Sequence, residues 1–365
     1  MRRRAAFGQN ISMSEHSVPE KSIRAAAAAL ARGDLVAMPT ETVYGLAADA
    51  TNDSAVKKIF AAKGRPSDHP LIVHVAKDAE LSDWIKVLPV DAKKLMDKFW
   101  PGPLTLILKK SSRIPDVVTG TQDTVGLRCP NHPIAQALLT EFAKIGSGIV
   151  AAPSANKYGH VSPTSARHVR NEFGRAINAR KIGGITLLDG GVCEVGIEST
   201  IVDFSRGVPV LLRPGAISAE QIFATIGVLP AGRDAATANG APRVSGDKVA
   251  HYAPRTPMRL LAAEQVFAEV DAVLTNGGRV AVLAFSTRPR VKPSAVGVGV
   301  RNARQMLWIQ APANATDYAR DLYANMRTLD AAGTAAILVE TPPTGVAWDA
   351  VNDRLRRAAV GTGKL

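Results

Sequence analysis

The sequence predicts an α/β protein in two units, a larger domain on a twisted mixed sheet followed by a smaller α/β domain. Three observations carry this. The chain has 365 residues, against roughly 150 for a typical single domain. Short apolar runs alternate with amphipathic helical patterns along most of it, as expected where strands and helices pack in layers. Residues 228–256 break the alternation: Pro230-Ala231-Gly232, Asn239-Gly240-Ala241-Pro242 and Ser245 to Pro257 offer turn formers and few apolar anchors, and read as a linker. The divisions are then a tail at 1–16, a first domain at 17–227, the linker, and a second domain at 257–365.

Ser17 to Arg32 reads as the first helix, with Ser17 as its cap, Ile23, Ala27 and Leu30 on one face, and Gly33 as its stop. Leu35-Val36-Ala37-Met38, halted by Pro39, is a buried strand whose carboxyl end opens into a loop from Thr40 to Leu46. A helix over Asp53 to Lys63 and a strand over Leu71 to Val75 come next. Further apolar runs start at Leu104, Thr124, Ile149, Ile185, Ser199 and Val208. They alternate irregularly with helical patterns at Ile134 to Phe142 and Ala166 to Phe173, which argues a mixed sheet. Beyond the linker, strand-like Met258 to Leu261, Val280 to Phe285 and Ala335 to Glu340 interleave with helical Glu264 to Leu274 and Thr316 to Asp330.

Hydrophobic residues are 46% and charged residues 21%, an ordinary globular mix that excludes a disordered chain. No run approaches the ~18 to 20 apolar residues of a membrane span; the longest alanine stretch is bounded by Arg24 and Arg32, and no membrane role is expected. Cys129 and Cys193 are too few for a disulfide framework or a four-thiolate zinc site and point to a reducing, cytoplasmic compartment. The 45 Lys and Arg against 32 Asp and Glu leave +13, which favours nucleotides, phosphates or RNA as partners. Arg2-Arg3-Arg4 is followed by no acid before Glu15 and no apolar secretion segment, so 1–16 is expected to be a disordered tail or to lie upstream of a true start at Met13.

The common phosphate loops, the H-E-x-x-H and C-x-x-C motifs and the G-x-S-x-G elbow are absent from the sequence. What remains is a series of polar segments at strand ends. Lys63-Gly64-Arg65-Pro66 sets two cations around a flexible glycine, suited to gripping adjacent phosphates; taken alone, it reads more readily as a solvated helix end. Pro153-Ser154-Ala155-Asn156 offers a hydroxyl and an amide, with Ser162-Pro163-Thr164 capping the next helix, as an ordinary capped turn would. Arg128 closes a strand, where a carboxylate clamp competes with an ordinary strand-end arginine; His69 and His74 flank another strand, where a lone histidine is more often structural. Asp49, Asp189 and Asp203 are unpaired strand-end or loop acids, expected to be solvated, and no metal ligand is assigned.

In order, these segments closely resemble the YrdC-like domain: Pro39-Thr40-Glu41-Thr42-Val43-Tyr44-Gly45-Leu46, Lys63-x-Arg65-Pro66, Pro70-Leu71-Ile72-Val73-His74, Trp100-Pro101-Gly102-Pro103, Val125-Gly126-Leu127-Arg128, Pro153-Ser154-Ala155-Asn156 and Ser199-Thr200-Ile201-Val202-Asp203. His251-Tyr252-Ala253-Pro254 and the domain beyond it resemble the long, two-domain threonylcarbamoyl-AMP synthase family, with a basic cleft in the first domain and a Rossmann-like second. The resemblance implies an enzyme combining L-threonine, bicarbonate and ATP into threonylcarbamoyl-AMP, pyrophosphate and water. Mg²⁺ would arrive on the ATP, and the product would pass to the tRNA threonylcarbamoyl-transfer machinery. It implies Lys63 and Arg65 as catalytic. His69, Thr124, Ser154, Asn156, Ser162, Arg213 and Tyr252 would join them around ATP, while Thr42, His74, Arg128, Ala152 and Ser199 would hold threonine. The linker with Tyr252 would act as a lid.

Two rival readings remain open on sequence alone. A basic cleft can hold RNA by phosphate contacts, but aromatic residues are only 5% and the matched segments suit a small polar ligand, so RNA binding is expected to be weak and salt-labile. A carbamoyl-adenylate-forming transferase of hydrogenase maturation shares the core, yet it would bring zinc-finger-like segments that two cysteines cannot supply.

Overall fold

The computed structural model describes residues 18–177, 184–232, 242–246, 249–288 and 305–363. The expected tail, Met13 and the cap Ser17 lie outside these residues. The first helix, α1 (Glu20–Ala31), begins behind Pro19 with no side-chain cap. It leads into β1 (Leu35–Met38) and β2 (Gly45–Asp49), an antiparallel pair with Met38 opposite Gly45. The sequence reading placed a loop where β2 begins. Because β2 is buried on both faces and made of small residues, it lacks the alternation that marks a strand.

The chain continues through α2 (Asp53–Lys63), β3 (Ile72–His74), α3 (Val90–Phe99), β4 (Leu104–Lys109), the short α4 (Asp116–Thr119), β5 (Thr124–Arg128), α5 (Pro133–Ala143), β6 (Val150–Ala151) and α6 (Ala166–Phe173). It closes the domain with β7 (Ile185–Leu187), β8 (Thr200–Asp203), β9 (Val210–Arg213), α7 (Ala219–Ile226) and β10 (Ala231–Gly232). The strands form one mixed sheet in the order β10-β9-β8-β4-β5-β3-β6-β2-β1-β7. Apolar clusters fill both faces, and α1 and α5 cover one of them around Leu30, Leu138 and Phe142. Helix α3, absent from the sequence reading, buries Ala92 and Leu95 and rests Met96 and Phe99 against the core; five of its ten residues are charged, so no apolar run marks it. Strand β10 falls inside the expected linker: two exposed residues added to an edge leave no hydrophobic signal.

The second domain holds β11 (Met258–Leu261), α8 (Ala263–Thr275), β12 (Val280–Ala284), β13 (Met306–Gln310), α9 (Ala315–Asp330), β14 (Ala336–Glu340) and α10 (Asp349–Gly361). Its four strands are all parallel, in the order β11-β14-β12-β13. The sequence reading had neither β13 nor α10. The two domains share a core: Val43, Val161 and Ile197 of the first pack with Tyr252 of the linker and Tyr318, Tyr323 and Leu355 of the second. Both cysteines are buried and free, as small core residues.

Candidate active site

Strand ends of the large sheet converge on one cleft of about 580 Å³. Lys63 is the last residue of α2, whose start is fixed by Asn52 accepting from the Ala55 N–H at 3.1 Å. Gly64 then adopts φ +65°, a left-handed turn that glycine takes without the steric penalty of a side chain. That turn returns Arg65 to the cleft that Lys63 enters. His74 ends β3 and Arg128 ends β5, and the parallel register sets them directly opposite each other. Arg213 ends β9, while Ser154 and Asn156 come after β6.

The cleft is cationic, and its charges are buried. Lys63, Arg65, Arg128 and Arg213 are all at least 93% buried, and Glu198 is the one acid among its lining residues. The Lys63 ammonium donates to the carbonyls of Ser154 at 2.5 Å and Asn156 at 2.6 Å, which uses two of its three N–H bonds. Burial, reinforced by Arg65, holds Lys63 well below the usual lysine range. Burial also pushes Arg65 down to about 10, still charged at neutral pH. Its Nη2 donates to the Pro70 carbonyl at 3.0 Å, and its guanidinium lies 5.8 Å from the Tyr158 ring centre. His74 is driven down to about 3 by burial and by Arg128, so it is neutral. Arg128 itself donates from Nη2 to Glu41 at 2.7 Å.

Six buried polar atoms on the lining residues have no protein partner: Arg65 Nε, His74 Nδ1, Arg128 Nε, Asn156 Oδ1, His251 Nδ1 and the Tyr252 hydroxyl. Each such group costs about 1 to 3 kcal/mol when left unpaired. Their gathering at one place marks a surface that a polar ligand completes.

Of the residues singled out from sequence, Lys63, Arg65, Ser154, Asn156, Arg213, Tyr252, His74, Arg128 and Ala152 line this cleft. Thr124 lines a smaller recess of about 300 Å³ that shares Ile72 and Ser245 with it. His69 stands behind Tyr158, in edge contact at 5.6 Å between ring centres. Thr42, Ser162 and Ser199 support the wall. The Thr42 hydroxyl bonds that of Thr40 at 2.9 Å, Ser162 donates to Glu198 at 2.6 Å, and the Ser199 oxygen meets Thr105 at 2.7 Å and Arg213 Nη2 at 3.1 Å. Glu41, Tyr158 and Glu198 were given no role. A signal for Glu198 existed, since it is an acid between apolar Ile197 and a strand start. The three aspartates are not simply solvated: Asp203 is fully buried against Arg206 at 3.0 Å, Asp49 accepts from Thr51 and Ser147, and Asp189 pairs with Arg170.

The model of the Sua5–YciO–YrdC family, described as telomere recombination, matches residues 28–215, and the model of the threonylcarbamoyl-AMP synthase C-terminal domain matches 217–360. This chain belongs to the threonylcarbamoyl-AMP synthase family. Threonylcarbamoyl-AMP synthase of Bacillus subtilis strain 168 is 40% identical over 352 residues, 95% of each chain. That of Pyrococcus abyssi is 38% identical over 347 residues, covering 94% of this chain and 95% of the relative. A crystal structure of P. abyssi Sua5 complexed with L-threonine superposes with TM-score 0.80 at 35% identity, across 95% of this chain and 96% of that one. The two-domain threonylcarbamoyl-AMP synthase architecture is therefore shared over 95% of the chain, and neither the RNA-binding nor the hydrogenase-maturation rival is supported.

Proposed function

We infer that the chain is an L-threonylcarbamoyladenylate synthase, a nucleotidyltransferase acting on L-threonine, bicarbonate and ATP. One observation at the site carries the reading: the residues lining a single cleft include four buried cations and six buried polar atoms without a protein partner, which is costly unless an anionic, hydrogen-bonding ligand occupies it. The threonine amine attacks the carbon of bicarbonate and water leaves, giving a carbamate. A carbamate oxygen then attacks the α-phosphorus as the bond to the pyrophosphate oxygen breaks. No protein nucleophile is required; positioning and charge do the work.

Lys63 and Arg65 lie along the triphosphate, and the phosphate charge restores the proton that burial loosens on Lys63. Ser154, Asn156 and Arg213 line the same path, and the recess beside Thr124 takes the far end of the nucleotide. His74 and Arg128, opposite each other in the sheet, receive the amino acid, with Arg128 on the α-carboxylate. Mg²⁺ enters as part of the nucleotide substrate, held chiefly by phosphate oxygens and water. Tyr252, buried in the cleft, is the part of the linker that closes over the nucleotide. The adenylate leaves for machinery that transfers the carbamoyl group to a tRNA adenosine. Among the described residues no helix is long and apolar enough to cross a membrane, and the two free cysteines fit a reducing cytoplasm.

The test is direct. Purified protein with ATP, threonine and labelled bicarbonate is expected to release pyrophosphate and build a labelled adenylate. ATP hydrolysis without label incorporation would refute the assignment.

A further inference from the structure

Tyr323 of α9 and Arg354 of α10, both in the second domain, reach behind the wall of the cleft to Glu198. Glu198 stands just before β8 and lines the cleft, and its two carboxylate oxygens face different domains. Oε1 accepts from Ser162 of the first domain at 2.6 Å. Oε2 accepts from the Tyr323 hydroxyl of α9 at 2.8 Å and from Arg354 Nε of α10 at 2.9 Å. Arg354 is fully buried, although it sits on the apolar face of α10 with Val351, Leu355 and Ala358. Its Nη1 donates to Asp353 at 2.7 Å, and its guanidinium lies 5.5 Å from the ring centre of Tyr252. Tyr252 also rests on Tyr323, 5.7 Å between ring centres.

Two features make this more than interdomain packing. Tyr252 holds φ +61°, a left-handed conformation that is costly for a non-glycine residue and persists only where neighbours impose it. Its unpartnered hydroxyl points at Gly246, where an added Cβ would come within 2.4 Å of it, so two separated pieces of the linker meet over the cleft. Burial alone would make the Glu198 carboxyl reluctant to ionise, but Arg354 and Arg213 hold it below its ordinary range, which keeps it an acceptor for all three donors.

We propose that Arg354, with Tyr323, is a positioning residue for adenylate formation. From the second domain it fixes Glu198 and the Tyr252 ring, so that docking of that domain completes the nucleotide side of the cleft. This rests on the reading of the cleft as an adenylate-forming site. It assigns the second domain a direct part in the first domain's chemistry. Arg354 does not touch the reacting atoms.

Removing one partner of a buried ion pair can unfold a protein, so the test uses three variants. Arg354→Lys keeps the charge but loses the planar fork, Tyr323→Phe removes one hydroxyl, and the double variant E198Q/R354M removes both charges together. In Arg354→Lys and in the folded double variant, KM for ATP is expected to rise on the order of tenfold while calorimetric threonine affinity stays within about twofold. Tyr323→Phe is expected to show the same split, more weakly. Trypsin provides a readout independent of catalysis: cleavage at Arg255, beside the linker motif, is expected to accelerate in all three variants. Unchanged KM for ATP together with unchanged cleavage in folded variants would overturn the proposal. Faster cleavage in a protein whose wild type makes no adenylate would keep the clasp and discard the assigned reaction. A double variant with full activity and a wild-type KM would reduce the pair to a structural bridge.

Discussion

Arg128 and Glu41 form a buried ion pair, 2.7 Å between Nη2 and Oε1, and the second Glu41 oxygen accepts from the Asn131 N–H at 2.9 Å. The guanidinium assigned to the threonine carboxylate is thus already oriented, with its Nε unpartnered. Breaking a buried pair from one side typically costs about 3 to 5 kcal/mol because a bare charge stays behind. Glu41→Gln is therefore expected to lower the unfolding midpoint of the free protein. The uncompensated charge on Arg128 then gains more from an incoming carboxylate, so saturating threonine should raise the variant's midpoint by more than it raises the wild type's. Differential scanning calorimetry with and without threonine reads this. An equal or smaller shift would place the carboxylate elsewhere.

Lys63 and Arg65 line the cleft and are proposed to flank the phosphates, where loss of one preorganised charge typically costs on the order of 10² to 10³ in rate. Lys63→Ala and Arg65→Ala should therefore lower kcat for pyrophosphate release by that order and leave threonine affinity nearly untouched. Lys63 also gives a pH signature. With its pKa depressed in the free enzyme, kcat/KM for ATP should fall on the alkaline side earlier than an ordinary lysine would allow, because less of the free enzyme then carries the ammonium. A wild-type alkaline limb that survives unchanged in Lys63→Arg would assign it to another group.

Burial holds His74 and His251 at about 3 and His168 at about 4, below the ordinary value of 6.5. For a base whose folded pKa is depressed, the unfolded chain binds more protons in between, so stability is lost as pH falls from about 6.5 toward those values. Each contributes at most about 1.4 kcal/mol per pH unit. Carboxylates complicate only the lower part of that window: Glu172, held at about 2 against opposing burial by His160, Lys157 and Arg327, loses its contribution as pH falls below about 4.5. Between pH 6.5 and 5 the unfolding midpoint is expected to drop, and His168→Gln, remote from the cleft lining, should flatten the slope. Chemical denaturation at several pH values measures it.

Much of the site was legible because its residues sit at the ends of apolar runs. Lys63-Gly64-Arg65, His74 and Arg128 each close or succeed a helix or strand whose boundary the sequence marks closely, and the parallel pairing of β3 with β5 sets His74 and Arg128 side by side. Thr42 and Ser199 looked the same in sequence, but packing turned their hydroxyls to Thr40, Thr105 and Arg213, a choice made by neighbours far along the chain. The Glu198–Arg354 pair was harder still, since 156 residues separate its members and helix α10 was not recognised. The trace it left is an arginine on an otherwise apolar helical face.

Amino-acid choice depends on the differences the lining can sense. If Arg128 takes the α-carboxylate, as proposed, it reads a group that every amino acid shares and supplies affinity without selectivity. On the proposed reading the hydroxyl contact would fall to His74, a lining residue whose buried Nδ1 has no partner, rather than to Thr42 or Ser199, whose oxygens are engaged. Valine leaves that nitrogen unpaired, at about 1 to 3 kcal/mol. Serine keeps the hydroxyl and lacks a methyl group, worth roughly 0.8 kcal/mol as transfer free energy and up to about 3 in a tight pocket. At about 1.4 kcal/mol per tenfold, serine should be used with about 4-fold to 100-fold lower kcat/KM than threonine, and valine should be rejected at least as strongly. Replacing His74 by Leu removes the polar reader and should erase the preference for serine over valine. Competition kinetics with the three amino acids decides it, because valine turning over better than serine in the wild type would mean the pocket reads shape and His74 does not read the hydroxyl.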